Sequence, residues 1–370
     1  MIIGVPKEIK NHEYRVGLTP ASVRELTLHG HQVVIEQGAG LGSGFPDALY
    51  QQAGAEILPS VTQLYAQADM IVKVKEPQPE ECKLLRSGQI IFTYLHLAPD
   101  PVQAELLQQS GCIAIAYETV TDRSGRLPLL APMSTVAGRM SIQAGAHCLE
   151  KTVGGPGILL GGVPGVAPAE VLVLGGGVAG ANAIRMAVGM EARVVVLDKS
   201  VERLRELDDL FGARLTTVYS TRDAVEHYIN SADLVIGAVL VPGAAAPKLI
   251  TREMLQHMRR GAVIVDIAID QGGCAETSRA TTHVDPTYVV DGIVHYCVTN
   301  MPGAVARTST LALNNVTLPF VLKLADLGYR EALMQDPNLL AGLNVCSGAI
   351  TYEAVAKALA KPYVAPLSVL

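Results

Sequence analysis

With 370 residues, 49% of them hydrophobic and 17% charged, the chain is too long for one ordinary core and too apolar for disorder, so two α/β domains are expected. The net charge of −6 and the lack of any Lys/Arg cluster exclude nucleic acid as a partner. Six cysteines at 82, 112, 148, 274, 297 and 346 form no Cys-x-x-Cys pair and meet no clustered histidines, which argues against zinc and for a reducing compartment.

The chain opens Met-Ile-Ile-Gly-Val-Pro-Lys-Glu. No basic stretch leads into a long apolar one, so no export signal is expected and the location is read as cytoplasmic. Residues 1–5 and 32–36 read as strands, and Thr19-Pro20 starts a helix with Thr as cap and Pro at the first helical position. Between them, the polar loop Asn11-His12-Glu13-Tyr14-Arg15-Val16 carries an Arg that either forks onto a substrate carboxylate or makes a surface salt bridge. Residues 69–75, 89–94 and 112–117 read as further short strands, with a helix over 101–109. Strand alternation through Val72-Lys73-Val74-Lys75-Glu76-Pro77 puts both lysines on one face, and the period does not choose between them. His96 lies just beyond the strand over 89–94. It is either an acid/base group titrating near neutrality or a packed histidine bonded to backbone.

Residues 127–150 look helical. The uncharged run 152–169 approaches membrane-spanning length, but its six glycines and three prolines break any continuous helix and make it a connector. Residues 169–198 are the most informative stretch of the chain. An apolar strand, the turn Gly175-Gly176-Gly177-Val178-Ala179-Gly180, an Ala-rich helix and a second apolar strand ending on Asp198 form a dinucleotide-binding unit. Gly175 allows the tight turn, Gly177 lets backbone approach a pyrophosphate at the helix N-terminus, and Gly180 lets helix pack on sheet. Asp198 suits a ribose diol and repels a 2′-phosphate, so NAD is preferred over NADP.

Strands over 215–219, 233–237 and 262–266 continue that unit. The loop after Asp266 brings Asp270 near a bound nicotinamide, as a catalytic group or as a solvated carboxylate. Beyond residue 300 the pattern turns helical, over 308–327, 329–334 and 352–360, with too few strand signals for a separate sheet. The expected architecture is therefore two doubly wound α/β domains: a Rossmann NAD-binding domain, 129–306, inserted into a discontinuous substrate domain, 1–128 plus 307–370. Hinges fall near 128–135 and 300–307, and the active site is expected in the cleft between the domains.

Taken together, Ile3-Gly4-Val5-Pro6-Lys7-Glu8, Glu13-Tyr14-Arg15-Val16, Val72-Lys73-Val74-Lys75-Glu76-Pro77, Tyr94-Leu95-His96, the glycine turn and the stretch from Asp266 to Asp270 resemble the L-alanine dehydrogenase family along essentially the whole chain. The resemblance implies oxidative deamination of L-alanine to pyruvate and ammonia with NAD, the reverse amination, and a homohexamer. It implies that Arg15 and Lys75 bind the substrate carboxylate and carbonyl, and that His96 and Asp270 are the acid/base pair. It places Ser134, Gly175, Gly177, Val178, Ala179, Gly180, Asp198, Ser220, Val239, Leu240, Ile267, Asp270, Arg279, Val298, Asn300 and Met301 against the dinucleotide. Position 203, Lys in some members, is Arg203 here and is a candidate phosphate or ribose contact. Some members hold magnesium near positions 323 and 327, which Lys323 and Leu327 cannot supply, so no metal is expected.

The rival reading is the NAD-binding subunit of a proton-translocating transhydrogenase, which shares the early Arg-Val loop and the Rossmann unit. Lys75 and His96 weigh against it, because hydride exchange between two nicotinamides needs no acid/base pair for an amine. No membrane segment is expected either.

Overall fold

The computed structural model describes residues 1–239 and 246–370. The chain divides into two units, Met1–Met133 with Gly303–Leu370, and Ser134–Pro302.

In the first unit, strands β1 (Ile2–Val5), β2 (Gln32–Glu36), β3 (Glu56–Leu58), β4 (Met70–Val72), β5 (Ile90–Thr93) and β6 (Ile113–Ala116) pair in the order β6-β5-β4-β1-β2-β3, every pair parallel. Their short apolar runs suit a sheet covered on both faces, and β4, β5 and β6 are buried along their whole lengths. Strand order reverses between β1 and β4, the place where an open α/β sheet offers a crevice. The helix Pro20–Leu28 begins as the sequence suggests, with the Thr19 hydroxyl accepting from the Ser22 N–H at 3.2 Å.

The expected strand over 69–75 is corrected: the strand is Met70–Val72. Lys73 and Lys75 therefore lie in a loop, and strand alternation does not govern where their side chains go.

The second unit holds β7 (Glu170–Leu174), β8 (Arg193–Asp198), β9 (Leu215–Tyr219), β10 (Leu234–Gly237), β11 (Val263–Asp266), β12 (Thr287–Val290) and β13 (Ile293–Tyr296). The order β12-β13-β11-β10-β7-β8-β9 is the doubly wound Rossmann order with one antiparallel edge strand, β12. The β12–β13 hairpin turns on Asp291-Gly292, both with positive φ, 51° and 85°, as a two-residue turn between twisted strands requires.

The chain then returns to the first unit through the long helix Ala306–Gln335, broken at Gly328 where φ is 74°. It ends with β14 (Leu343–Cys346), antiparallel to β6, and β15 (Ala349–Ile350), antiparallel to β14. Among the described residues no helix is long and apolar enough to cross a membrane, and no cluster of His, Cys, Asp or Glu could hold a metal ion. Lys323 is bonded to Asp336 at 2.8 Å.

A buried histidine sits inside the second sheet. His295 of β13 has no solvent exposure; its Nδ1 meets the Ile293 carbonyl at 3.0 Å and its Nε2 the Thr277 hydroxyl at 2.8 Å. Burial holds its pKa below 6.5, so the unfolded chain takes up this proton first, and the stability it contributes above about pH 6.5 is lost as the pH falls. The melting temperature of the wild type should drop more steeply between about pH 7 and pH 5 than that of His295→Gln; equal slopes would contradict this account of His295.

Candidate active site

The first unit gathers its candidate residues at one edge because they come after neighbouring strands. Arg15 comes after β1, Lys75 after β4 and His96 after β5, at the carboxyl ends of strands adjacent in the sheet. The loops are stitched together: the Thr93 hydroxyl donates to the Lys75 carbonyl at 2.9 Å, and the Tyr94 N–H to the Val74 carbonyl at 3.3 Å. The Arg15 loop lies against the same edge, since a Cβ on Gly17 would fall 2.3 Å from the Val72 carbonyl oxygen. From the other side the long helix holds it, with Asn314 accepting from the Thr19 N–H at 2.8 Å and donating to the Gly17 carbonyl at 3.0 Å.

Arg15 is not a surface salt bridge. It is 3% exposed, and the Glu13 carboxylate grips it twice, Nε to Oε1 at 2.6 Å and Nη2 to Oε2 at 2.5 Å. Burial works against the cation, but Glu13 outweighs it and raises the pKa, so the guanidinium stays charged in a site of low dielectric. Its Nη1 donates to Met133 Sδ at 3.0 Å.

The two lysines separate cleanly. Lys73 has no exposure and spends its ammonium on Glu81 at 2.7 Å and Glu8 at 3.2 Å. Lys75 is half-buried, and Glu8 Oε1 accepts from its N–H at 3.3 Å and from that of Val74 at 2.7 Å.

His96 is exposed, so it is not a packed core histidine. Its φ is +48°, and its N–H donates to Glu118 Oε1 at 2.6 Å. The imidazole stacks on Tyr94, with centroids 5.9 Å apart and planes at 13°. Tyr94 is itself buried, its hydroxyl donating to the Leu129 carbonyl at 2.6 Å.

In the second unit the candidates line the carboxyl ends of the parallel strands. The glycine turn follows β7, Asp198 ends β8, Ser220 follows β9, Val239 follows β10, Ile267 and Asp270 follow β11, and Val298, Asn300 and Met301 follow β13. Gly175 has φ +94°, and a Cβ on Gly180 would lie 1.8 Å from the Gly175 carbonyl oxygen, so the helix Val178–Gly189 rests directly on the turn. A Cβ on Gly177 would meet nothing within 4 Å. Gly177 and Val178 are exposed and Ala179 half-buried, leaving an open helix N-terminus whose N–H groups suit an anion.

Asp198 pins this cradle to the next strand. Its Oδ2 accepts from the Gly176 N–H at 2.7 Å and its Oδ1 from the Ser200 N–H at 2.8 Å. Arg203 Nε donates to the Gly176 carbonyl at 2.6 Å, and the Ser220 N–H to the Asp198 carbonyl at 2.9 Å. Asp270 is exposed on the short 3₁₀ turn Ile267–Gln271, which the buried Asp266 caps through the Ala268 N–H at 3.1 Å. Lys248 holds the chain beyond it, donating to the carbonyls of Gly272, Gly273 and Ala275 at 2.5, 2.9 and 3.1 Å. Arg279 is stacked 4.0 Å over the Tyr288 ring, and its neighbour Ser278 donates to Asp266 Oδ2, at the end of β11, at 2.5 Å. Ser134 is half-buried in the helix Ala131–Cys148, and Leu240 lies outside the described residues.

Sequence reasoning does not single out Glu8, Glu13, Glu118 or Lys248. Glu8 and Glu13 lie inside the motifs that carry the resemblance, and Glu118 sits two residues past β6 much as His96 sits three past β5. That strand-end position is the signal that could have found it.

The N-terminal domain of the alanine dehydrogenase/PNT family matches residues 4–137, and its C-terminal domain matches residues 141–353. The chain belongs to the alanine dehydrogenase/PNT family. Within the family it is 61% identical to the alanine dehydrogenase of Halomonas elongata, and 53% identical to that of Mycobacterium tuberculosis, each over the whole of both chains. Among solved structures, an L-alanine dehydrogenase matches with a TM-score of 0.95 at 53% identity, covering 97% of this chain and 99% of that one. A transhydrogenase from Sinorhizobium meliloti matches with a TM-score of 0.82 at 26% identity, covering 96% and 100%.

The glycine turn of this family member makes two distinct requirements. Gly180→Ala should destabilise the second unit by at least about 1–3 kcal/mol through overpacking, whereas Gly177→Ala should leave the melting temperature nearly unchanged. Calorimetry of both variants checks this, and equal melting temperatures would contradict it.

Proposed function

We propose that the chain catalyses the reversible NAD-dependent oxidative deamination of L-alanine to pyruvate and ammonia. The observation that carries this reading is the carboxyl edge of the first sheet, where a buried charged Arg15, a half-buried Lys75 and an exposed His96 sit on adjoining loops. An anionic amino or oxo acid needs this set. Relatives named alanine dehydrogenase at 53–61% identity over their full length point the same way. The transhydrogenase alternative has weaker support, since the transhydrogenase structure is 26% identical.

NAD, when bound, supplies the acceptor for the hydride that leaves the alanine Cα. The residues fit it: the open N-terminus after Gly177 suits the pyrophosphate, and the Asp198 carboxylate, with lone pairs beyond those used by Gly176 and Ser200, suits a ribose diol. Ser134, Val178, Ala179, Arg203, Ser220, Val239, Ile267, Asp270, Arg279, Val298, Asn300 and Met301 are proposed as its further contacts, and Leu240 with them from the resemblance alone.

Arg15 and Lys75 bind the substrate carboxylate and carbonyl and orient the Cα–H bond; positioning of this kind contributes roughly 7–11 kcal/mol to lowering a barrier. Glu13 fixes the plane of the Arg15 guanidinium, and Glu8 fixes the backbone that presents Lys75. His96 and Asp270 form the acid/base pair that moves protons as water adds to the iminium and ammonia leaves, worth about 10²- to 10⁴-fold. A homohexamer in the cytoplasm completes the proposal. Six free cysteines, all buried, support a reducing location, and light scattering checks the assembly.

Purified protein mixed with NAD and L-alanine at alkaline pH should form NADH and pyruvate in equal amounts; NAD-binding protein that forms none would overturn the reading. His96→Ala should keep NADH affinity while kcat falls by about 10²-fold or more, and parallel losses in both would make His96 structural. Asp198→Ala should weaken both NAD binding and discrimination against NADP, and unchanged selectivity would count against the role of that acid.

A further inference from the structure

Glu118 is half-buried on the short turn Tyr117–Thr119 that follows β6. Its carboxylate is spent on backbone: Oε1 accepts from the Leu95 N–H at 3.1 Å and the His96 N–H at 2.6 Å, and Oε2 from the Leu95 N–H at 3.2 Å. Two consecutive N–H groups reach one anion only if the peptide planes on either side of the Leu95 Cα turn toward it, so Glu118 fixes the Leu95–His96 peptide; from it His96 leaves with φ +48°, a left-handed conformation that an L residue adopts against steric cost. Nothing in the histidine itself demands this backbone.

The anchor behind the carboxylate is firm. Tyr117, next to Glu118, packs edge-on against Phe92 at 4.4 Å and Tyr94 at 5.1 Å. On the other side, the Thr119 hydroxyl accepts from Asn344 Nδ2 at 2.8 Å. The turn after β6 is thereby tied to the loop after β5 and to β14.

We infer that Glu118 is a positioning residue for His96: its carboxylate holds the Leu95–His96 peptide, the base from which the imidazole is laid on Tyr94 at the substrate edge. This rests on the proposed role of His96 as an acid/base group. Glu118 itself touches no reacting atom in this scheme. It acts across 22 residues of sequence, from the neighbouring strand.

The test combines a mutant cycle with a direct view of the backbone. Glu118→Ala should lower kcat for alanine about 10- to 100-fold, the range for a misplaced acid/base group, with KM changed less than about threefold and NADH affinity unchanged. In a His96→Ala background the same substitution should change kcat by less than about twofold, because its effect passes through the imidazole. Glu118→Gln, whose amide oxygen can still accept from both N–H groups, should recover much of the loss, and Glu118→Leu, of similar size with no acceptor, replaces the alanine variant in the cycle if that variant does not fold. Equal losses with and without His96 would make Glu118 a general structural residue and overturn the inference. A crystal structure of the variant reads the loop independently of activity: the Leu95–His96 peptide should rotate and the imidazole leave its stack on Tyr94, and a stack retained near 5.9 Å would overturn the inference even if the wild type proved inactive toward alanine.

Discussion

Lys73 has no contact with solvent, yet its environment keeps it charged. Burial pulls its pKa down, but Glu8 and Glu81 together raise it, and removing one partner of such a buried pair typically costs about 3–5 kcal/mol because an uncompensated charge is left behind. The candidate substrate edge hangs on this cluster. Glu8 binds the Lys73 ammonium and, through its other oxygen, the N–H groups of Val74 and Lys75. The loop after β4 thus leaves the sheet in one direction only, with Lys73 turned inward and Lys75 outward. Burial leaves the Glu8 carboxyl above the usual carboxylate range, and the Lys73 ammonium pulls against that rise.

The same economy recurs around it. Glu13 orients Arg15, Glu8 orients the Lys75 backbone, and Glu118 orients the His96 backbone. Parallel strands end together, so the loops that come after them are neighbours however far apart they lie in sequence. A short carboxylate on one loop can then fix the next. In the second unit a backbone version of the device operates: Asp198 ties the end of β8 to the glycine turn, Asp266 caps the turn that carries Asp270, and Lys248 gathers three carbonyls just beyond it.

Much of this architecture is legible in the sequence because it is local. Apolar runs mark the parallel strands, Thr19-Pro20 marks a helix start, and the glycine spacing marks a turn whose third glycine meets a carbonyl oxygen at a distance no side chain tolerates. Non-local features are not legible. Alternation fails for Lys73 and Lys75 because β4 stops at Val72, and in the loop beyond it Glu8 takes the Val74 N–H. β14 leaves little trace because its four residues enter the sheet by pairing with β6, more than two hundred positions earlier. The β12–β13 hairpin carries its own signal in Asp291-Gly292, but Tyr and His in its strands mask the apolar pattern. The partners of Arg15 and His96 require knowing which strand ends are neighbours. Glu118 stands 22 positions from His96 and adjoins it only through the pairing of β5 with β6.

If this carboxyl edge delivers the Cα hydrogen of alanine as a hydride, the fate of that hydrogen reports it most directly. L-alanine deuterated at Cα should give reduced nicotinamide carrying one deuterium at C4, in equal amount to the pyruvate and ammonia formed. Deuterium released to water, or pyruvate formed without labelled cofactor, would contradict the account.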